Sequence, residues 1–243
     1  MKYGGTVIHK ARDEFGELSV IETRTVRKMH FDSPVEQSCI YRNAPMTLNF
    51  EYQQKMVALV NDHYLDLKHP KNYRVLMLGM GGGTMAHHLY HSLPNLQMTI
   101  VELRQIVIDA AYKYFQLPDV PEIESVQADA IAFIDELAQQ CEDSVEFAYD
   151  CIMVDLFDSQ GIPSELCNVD FHQNLQPCLK PTGRLIFNLW NRFDQNRIME
   201  PTEETAQIRN YWENQKRFAK KQNAYLMRST ANLIYCLDRR HKS

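Results

Sequence analysis

The spacing of apolar and polar positions changes once along the chain, near residue 73. Before that point the apolar residues fall in short alternating runs such as Leu18-Ser-Val-Ile-Glu-Thr and Ser38-Cys-Ile-Tyr. Turn residues (Gly4-Gly5, Gly16, Asp32-Ser33-Pro34) separate them, which predicts a small antiparallel sheet over residues 1–45. Leu48, Tyr52, Met56, Leu59 and Val60 then recur at helical spacing and predict a helix over 48–67. From residue 73 onward, continuous apolar runs alternate with helical patterns. Strands are predicted at 74–79, 97–102, 123–129, 149–155 and 183–190, with helices at 83–92, 104–115, 130–140 and 168–178.

Strands that lack polar alternation and are spaced by helices imply a parallel sheet covered on both faces. After a predicted helix at 203–221, two β runs (224–230 and 233–238) are separated only by Ala231-Asn232. That link is too short for a parallel crossover, so the two must pair antiparallel. The expected fold is therefore α/β. It is a Rossmann-like, class I methyltransferase-type sheet, mostly parallel with an antiparallel C-terminal hairpin, plus a small N-terminal β region. The expected division is an N-terminal β-sheet region at 1–45 and a Rossmann-like domain at 46–243.

Composition narrows the function classes. In 243 residues, 44% hydrophobic and 23% charged side chains are the mixture of an ordinary globular protein. A net charge of −5 argues against nucleic acid as a partner and slightly favours a cationic ligand. No stretch approaches the ~18 apolar residues of a membrane span and no signal-like segment opens the chain, so no membrane partner and a cytoplasmic location are expected. The six cysteines form no C-x-x-C pair and are expected as reduced, buried thiols. His87, His88 and His91 share one predicted helix, but no third ligand is apparent, so they read as a solvated face and no metal is expected. Lys216-Arg217 and Lys220-Lys221 read as the exposed side of the 203–221 helix.

In open α/β sheets, ligands bind beyond the carboxyl ends of the strands, and this sequence places informative residues there repeatedly. Gly79-Met80-Gly81-Gly82-Gly83 follows the first strand and either lets a nucleotide lie against bare backbone or marks a plain turn. Glu102 ends the second strand, at the distance from the loop where a carboxylate takes up both ribose hydroxyls. Asp129, before Ala130, suits the adenine amino group, with the Ala130 N–H toward the ring; it equally suits a helix N-cap. The loop lacks the Lys-Ser/Thr of a triphosphate loop and the third glycine of a dinucleotide fingerprint, so a nucleoside without pyrophosphate fits better. Strand four ends in Asp155-Leu-Phe-Asp158, followed by Gly161 and Pro163. Two carboxylates three residues apart provide a general base and a holder for a second cationic group, or merely shape the loop. Phe157 and Trp190 are candidate apolar walls or simple core.

Tyr149-Asp150-x-Ile152-x-Val154-Asp155-x-x-Asp158, with Glu36-Gln37-Ser38, Tyr52, Val101-Glu102 and Ala128-Asp129-Ala130 in matching order, resembles the polyamine aminopropyltransferases, the spermidine synthase family. The glycine loop and Phe187-Asn-Leu-Trp190 resemble its divergent bacterial spermidine synthase-like members. The resemblance implies decarboxylated S-adenosylmethionine as co-substrate, a polyamine such as putrescine as acceptor, and a homodimer. It implies Asp155 as general base, Asp158 positioning the amine, and Tyr52 and Gln37 closing over the ligands. Gln37, Gly79, Gly81, Gly82, Glu102, Leu103, Asp129, Ala130 and Asp155 make up the implied nucleotide-contacting set. The family carries an Asp in the glycine loop where this chain has Gly82 or a neighbouring glycine. That Asp pairs with the ammonium of the aminopropyl group and would repel the carboxylate of ordinary S-adenosylmethionine. Weaker discrimination against S-adenosylmethionine is the expectation here. A methyltransferase, or a catalytically silent nucleoside-binding homologue, stays open on the same residues.

Overall fold

A computed structural model of the chain describes residues 2–158, 161–196, 198–218, 223–227 and 229–239. The alternating runs form β1 (Thr6–Asp13), β2 (Gly16–Glu22), β3 (Val26–Phe31) and β4 (Glu36–Tyr41), an antiparallel sheet in sequential order. Alternation puts every second side chain on one face. Leu18, Val20, Met29 and Ile40 accordingly pack on Val107, Ala110 and Phe115 of the following domain. This small sheet thus shares a core with the rest of the chain.

Helix α1 (Glu51–Asp66) leads into the central sheet. It comprises β5 (Tyr73–Leu78), β6 (Leu96–Glu102), β7 (Ile123–Gln127), β8 (Tyr149–Val154), β9 (Leu179–Phe193), β11 (Asn223–Met227) and β12 (Asn232–Asp238), with β10 (Met199–Pro201) paired to β9. Between them run α2 (Thr84–Ser92), α3 (Gln105–Tyr114), α4 (Ala130–Asp143), α5 (Val169–Leu175) and α6 (Glu203–Glu213). The strand order is β11-β12-β9-β8-β5-β6-β7, parallel from β7 to β9 and antiparallel at β12 and β11. This is the expected parallel sheet with an antiparallel hairpin. Alternate residues of the central strands feed two cores. Val75, Met77, Ile100, Met153 and Ile186 face α1 and α2, while Leu76, Leu78, Ile152, Val154 and Phe187 face α4, α5 and α6.

The chain leaves β5 toward β6 and β7 and later returns on the other side of β5 to form β8. Strand order therefore reverses between β5 and β8, and the reversal opens a crevice above their carboxyl ends. Leu78 pairs with both Val101 and Val154, so the ends of β5, β6 and β8 finish level.

Several boundaries differ from expectation. Strand β9 runs on past Trp190 because its last residues pair with β10, a three-residue strand with no apolar alternation to announce it. The 203–221 helix ends at Glu213, where the Asn214 amide caps Asn210 O and the chain turns to bury Phe218 edge-on against Trp212. Lys216 and Arg217 are exposed, but on this turn rather than on a helix face; Lys220 and Lys221 lie outside the described residues. The 168–178 helix ends at Leu175, since β9 already begins at Leu179. The three histidines do not form one solvated face. His87 is buried against His91, His88 Nδ1 donates to Met46 O, and only His91 is exposed. All six cysteines are free; five are buried and Cys167 is half-buried.

Candidate active site

At the crevice, backbone approaches backbone. Gly79 N–H donates to Val101 O (2.8 Å) and Asp155 N–H to Leu78 O (2.9 Å), joining the ends of β5, β6 and β8. Gly79 has φ of 88°, and a Cβ there would lie 2.2 Å from Asp155 O. Both facts exclude a side chain, because L residues avoid this φ and a carbonyl cannot move aside. The first glycine of the loop is thus required by the crossing of the strand ends.

Gly82 is held differently. Its N–H donates to Ser38 Oγ (2.6 Å), and a Cβ would meet Phe115 Cδ1 and Ser38 Cβ, each at 2.9 Å. The space a side chain at 82 would use is filled by a ring after α3 and a serine on β4. Gln37, one residue earlier on β4, brings its carbonyl oxygen within 3.7 Å of a Cβ built on Gly81. Strand β4 therefore lies along the glycine loop.

Glu102 at the end of β6 accepts from Met80 N–H (3.1 Å) with one oxygen and from Arg104 N–H (3.0 Å) with the other. Burial raises its pKa, and these two N–H groups and the Arg104 charge oppose the rise. The carboxylate is thereby aimed across the mouth of the loop. Arg104 is itself anchored, donating to both oxygens of Asp13 (2.8 and 3.0 Å) and to Gly16 O (3.0 Å). Leu103 between them is exposed, an apolar surface at the rim. Asp129 is the N-cap of α4, its Oδ1 accepting from Ile131 and Ala132 N–H at 2.9 and 3.0 Å, with Ala130 buried beside it. The capping reading of Asp129 holds, and its exposed position at the strand end keeps the second oxygen compatible with a ligand.

Asp155 follows β8 and is only partly open to the crevice. Burial pushes its pKa up to about 6, and the hydrogen bond from Asn188 Nδ2 (2.8 Å) holds it from rising further. From α1, Tyr52 faces the same floor. Burial and the Asp155 charge raise its hydroxyl well above the ordinary phenol range, so Tyr52 is a neutral phenol. Gln53 beside it is 3% exposed, and its Oε1 meets no donor among the described residues. Asp158 is exposed; Gly161 N–H donates to its Oδ1 (2.9 Å), and its own N–H donates to Gly161 O (2.9 Å). One oxygen of this carboxylate thus helps shape its loop. The Trp190 ring packs over Gly161, 3.0 Å from where a Cβ would sit, and walls that loop, while Phe157 packs into the core.

Sequence reasoning passed over Ser38 as a loop contact and did not single out Gln53, Arg104, Asn188 or Asn232 as site residues. Asn188 is a polar residue inside an apolar run, and that breach of pattern was an available signal; Asn232, in the link before the last strand, gave none.

The crevice now has a carboxylate of raised pKa beside a neutral phenol, a second buried carboxylate across a glycine loop, and no metal-type cluster among the described residues. The family described as the spermine/spermidine synthase domain matches residues 50–228. The chain belongs to this family. The polyamine aminopropyltransferase of Chromobacterium violaceum is 28% identical over 187 residues, 76% of this chain; the chain spans 66% of that relative's length. A probable spermidine synthase from Corynebacterium glutamicum has the same fold, with TM-score 0.72 and 19% identity over 96% of this chain and 80% of that one. So does human methyltransferase-like protein 13 in complex with SAH, with TM-score 0.64 and 18% identity over 80% of this chain and 84% of that one. Family membership thus rests on sequence, and the structural likenesses establish the class I methyltransferase-type fold.

Proposed function

We propose that this protein transfers an aminopropyl group from decarboxylated S-adenosylmethionine to a primary amine of a polyamine such as putrescine. The observation that carries the reading is Asp155, a half-buried carboxylate with a pKa of about 6 at the reversal of strand order, beside Tyr52. A base with that pKa is ionised at neutral pH yet still basic enough to take a proton. The amine lone pair attacks the carbon next to the sulfonium, the carbon–sulfur bond breaks, and methylthioadenosine leaves with the electron pair. Asp155 accepts the proton released by the nitrogen. Glu102 holds the ribose hydroxyls, Asp129 and the Ala130 N–H read the adenine, and Leu103 gives the ring an apolar face. Tyr52, Gln37 and Gln53 close the donor and acceptor ends, with Asp158 near the acceptor entrance. The family resemblance further supports a cytoplasmic homodimer.

A second reading is favoured by one observation. Position 82 carries no carboxylate, and Phe115 and Ser38 occupy the space for one. A donor bearing a carboxylate meets no loop charge there, so the site should tolerate S-adenosylmethionine and, with it, methyl transfer. The human neighbour that binds SAH shares the fold.

Incubation with each donor and a panel of di- and triamines, read by mass spectrometry, tests both. Methylthioadenosine release is the expected result. S-adenosylhomocysteine instead would establish methyl transfer, and nucleotide binding without turnover would establish a silent homologue. Dissociation constants for the two donors are expected within about tenfold of each other; a strong preference for the decarboxylated form sinks the relaxed-donor reading.

A further inference from the structure

We propose that Asn188 and Asn232 form a two-amide chain that positions Asp155, fixing one carboxylate oxygen so that the other faces the reacting amine. The proposal rests on Asp155 being the base of the reaction above. Asn188 Nδ2 donates to Asp155 Oδ1 (2.8 Å), and Asn232 Nδ2 donates to Asn188 Oδ1 (2.9 Å). Both asparagines are almost fully buried, at 4% and 8% exposure, Asn188 within the apolar run Leu185–Leu189 of β9 and Asn232 at the start of β12.

Register explains the juxtaposition. Val154 pairs with Phe187, so Asp155 and Asn188, each one residue further on, meet side by side. Asn232 pairs with Trp190 and reaches Asn188 on the diagonal. The chain also has a direction. A carboxylate only accepts, so Asn188 must turn its NH2 toward Asp155 and its carbonyl toward β12. There the carbonyl needs a donor, and Asn232 supplies one. An apolar residue at 232 would leave that carbonyl buried and unpaired, and would let the Asn188 amide flip its oxygen against the carboxylate. Other groups on Asp155 do not supply this control. From α1 the titratable neighbour is Tyr52, which stays neutral; β5 and the glycine loop bring Leu78 and Gly79 backbone; Asp158 on the same loop is tied to Gly161.

The test follows the Asp155 carboxyl by carbon NMR across pH, the resonance being assigned with Asp155→Asn, in the wild type and in Asn188→Leu and Asn232→Leu. Loss of a hydrogen bond to the ionised form is expected to raise the pKa from about 6 by about one unit in Asn188→Leu. A smaller rise in the same direction is expected in Asn232→Leu. The acid limb of kcat/KM should move by the same amounts, with nucleotide Kd changed less than about threefold. An Asp155 that titrates at the wild-type pH in folded Asn188→Leu overturns the proposal. Should that variant not fold, the wild type decides. The Asn188 side-chain amide protons are expected to titrate with the Asp155 midpoint, and their failure to do so equally overturns it. Absence of turnover in the wild type would count against the transferase reading alone, since the NMR titration judges the amide chain without it.

Discussion

At the residue scale, the behaviour of Asp155 follows from burial working against its charge. Its pKa of about 6 stands above the 3.8 of an unfolded aspartate, so the native state binds the proton more tightly than the unfolded chain does. The stability this group contributes is fully present below pH 4 and is lost as pH rises through about 6. Asp155→Asn, which keeps an oxygen for Asn188 and never ionises, is therefore expected to stabilise the protein above pH 6 by up to about 3 kcal/mol and to leave it unchanged near pH 4. Thermal melts at the two pH values check this. The same variant is expected to lower turnover by about a hundredfold or more while nucleotide affinity stays within several-fold, as single-turnover kinetics and calorimetry would show. Glu102 predicts the complementary pattern. Glu102→Gln loses the charge and turns its NH2 against the N–H of either Met80 or Arg104, so nucleoside affinity should fall about tenfold, measured by titration with methylthioadenosine, and stability by about 1–3 kcal/mol, measured by urea unfolding.

At the element scale, the glycine loop is set by what crosses it. Gly79 is forced by the Asp155 carbonyl, and Gly82 by Phe115 and Ser38. Gly82→Asp, which would place a carboxylate in the loop, is expected to destabilise the protein by about 1–3 kcal/mol through overpacking. Phe115→Ala in the same chain should couple with it, making the pair less destabilising than the sum of the singles; urea unfolding of the four proteins measures this. Additive losses would show that the two positions do not compete for space. The loop's place after the first parallel strand was legible, but the separate causes of its glycines were not. Residues 38 and 115 reach Gly82 from elements far apart in sequence, and no local pattern encodes such a contact.

At the scale of the molecule, the N-terminal sheet and the central domain meet at the glycine loop. Arg104, almost fully buried, donates to both oxygens of Asp13, and its backbone N–H supports Glu102. Burial alone would raise the Asp13 pKa, but the Arg104 hydrogen bonds and charge outweigh it and lower it. The stabilisation is thus present above the unfolded carboxyl pKa and lost as pH falls through the lowered folded value. Arg104→Met is expected to cost about 1–3 kcal/mol at pH 7, less than a fully buried pair because Asp13 is partly exposed, and to blunt the loss of stability on acidification. It should also weaken nucleoside binding, because the side-chain anchor on Asp13 and Gly16 holds in place the backbone N–H that supports Glu102. Urea titrations at pH 7 and pH 3, together with ligand titration, read these outcomes.

Periods of two and 3.6 residues were sufficient to place the small sheet, the strand–helix alternation and the closing hairpin, because backbone geometry imposes those periods locally. The places of Glu102, Asp129 and Asp155 at the carboxyl ends of successive strands were legible for a related reason, since the apolar runs that precede them mark where each strand stops. The end of α6 and the extension of β9 were not, because the burial of Phe218 and the pairing with β10 override local propensity. Nor was the division of labour between the two loop carboxylates. Only the folded chain puts Asn188 and Asn232 beside Asp155, and only its loop ties Asp158 to Gly161. Spacing determined that a carboxylate site exists there. Which carboxylate is held in low-dielectric surroundings, and so acquires the pKa of a base, was decided by strand register and burial, both of which are properties of the tertiary structure.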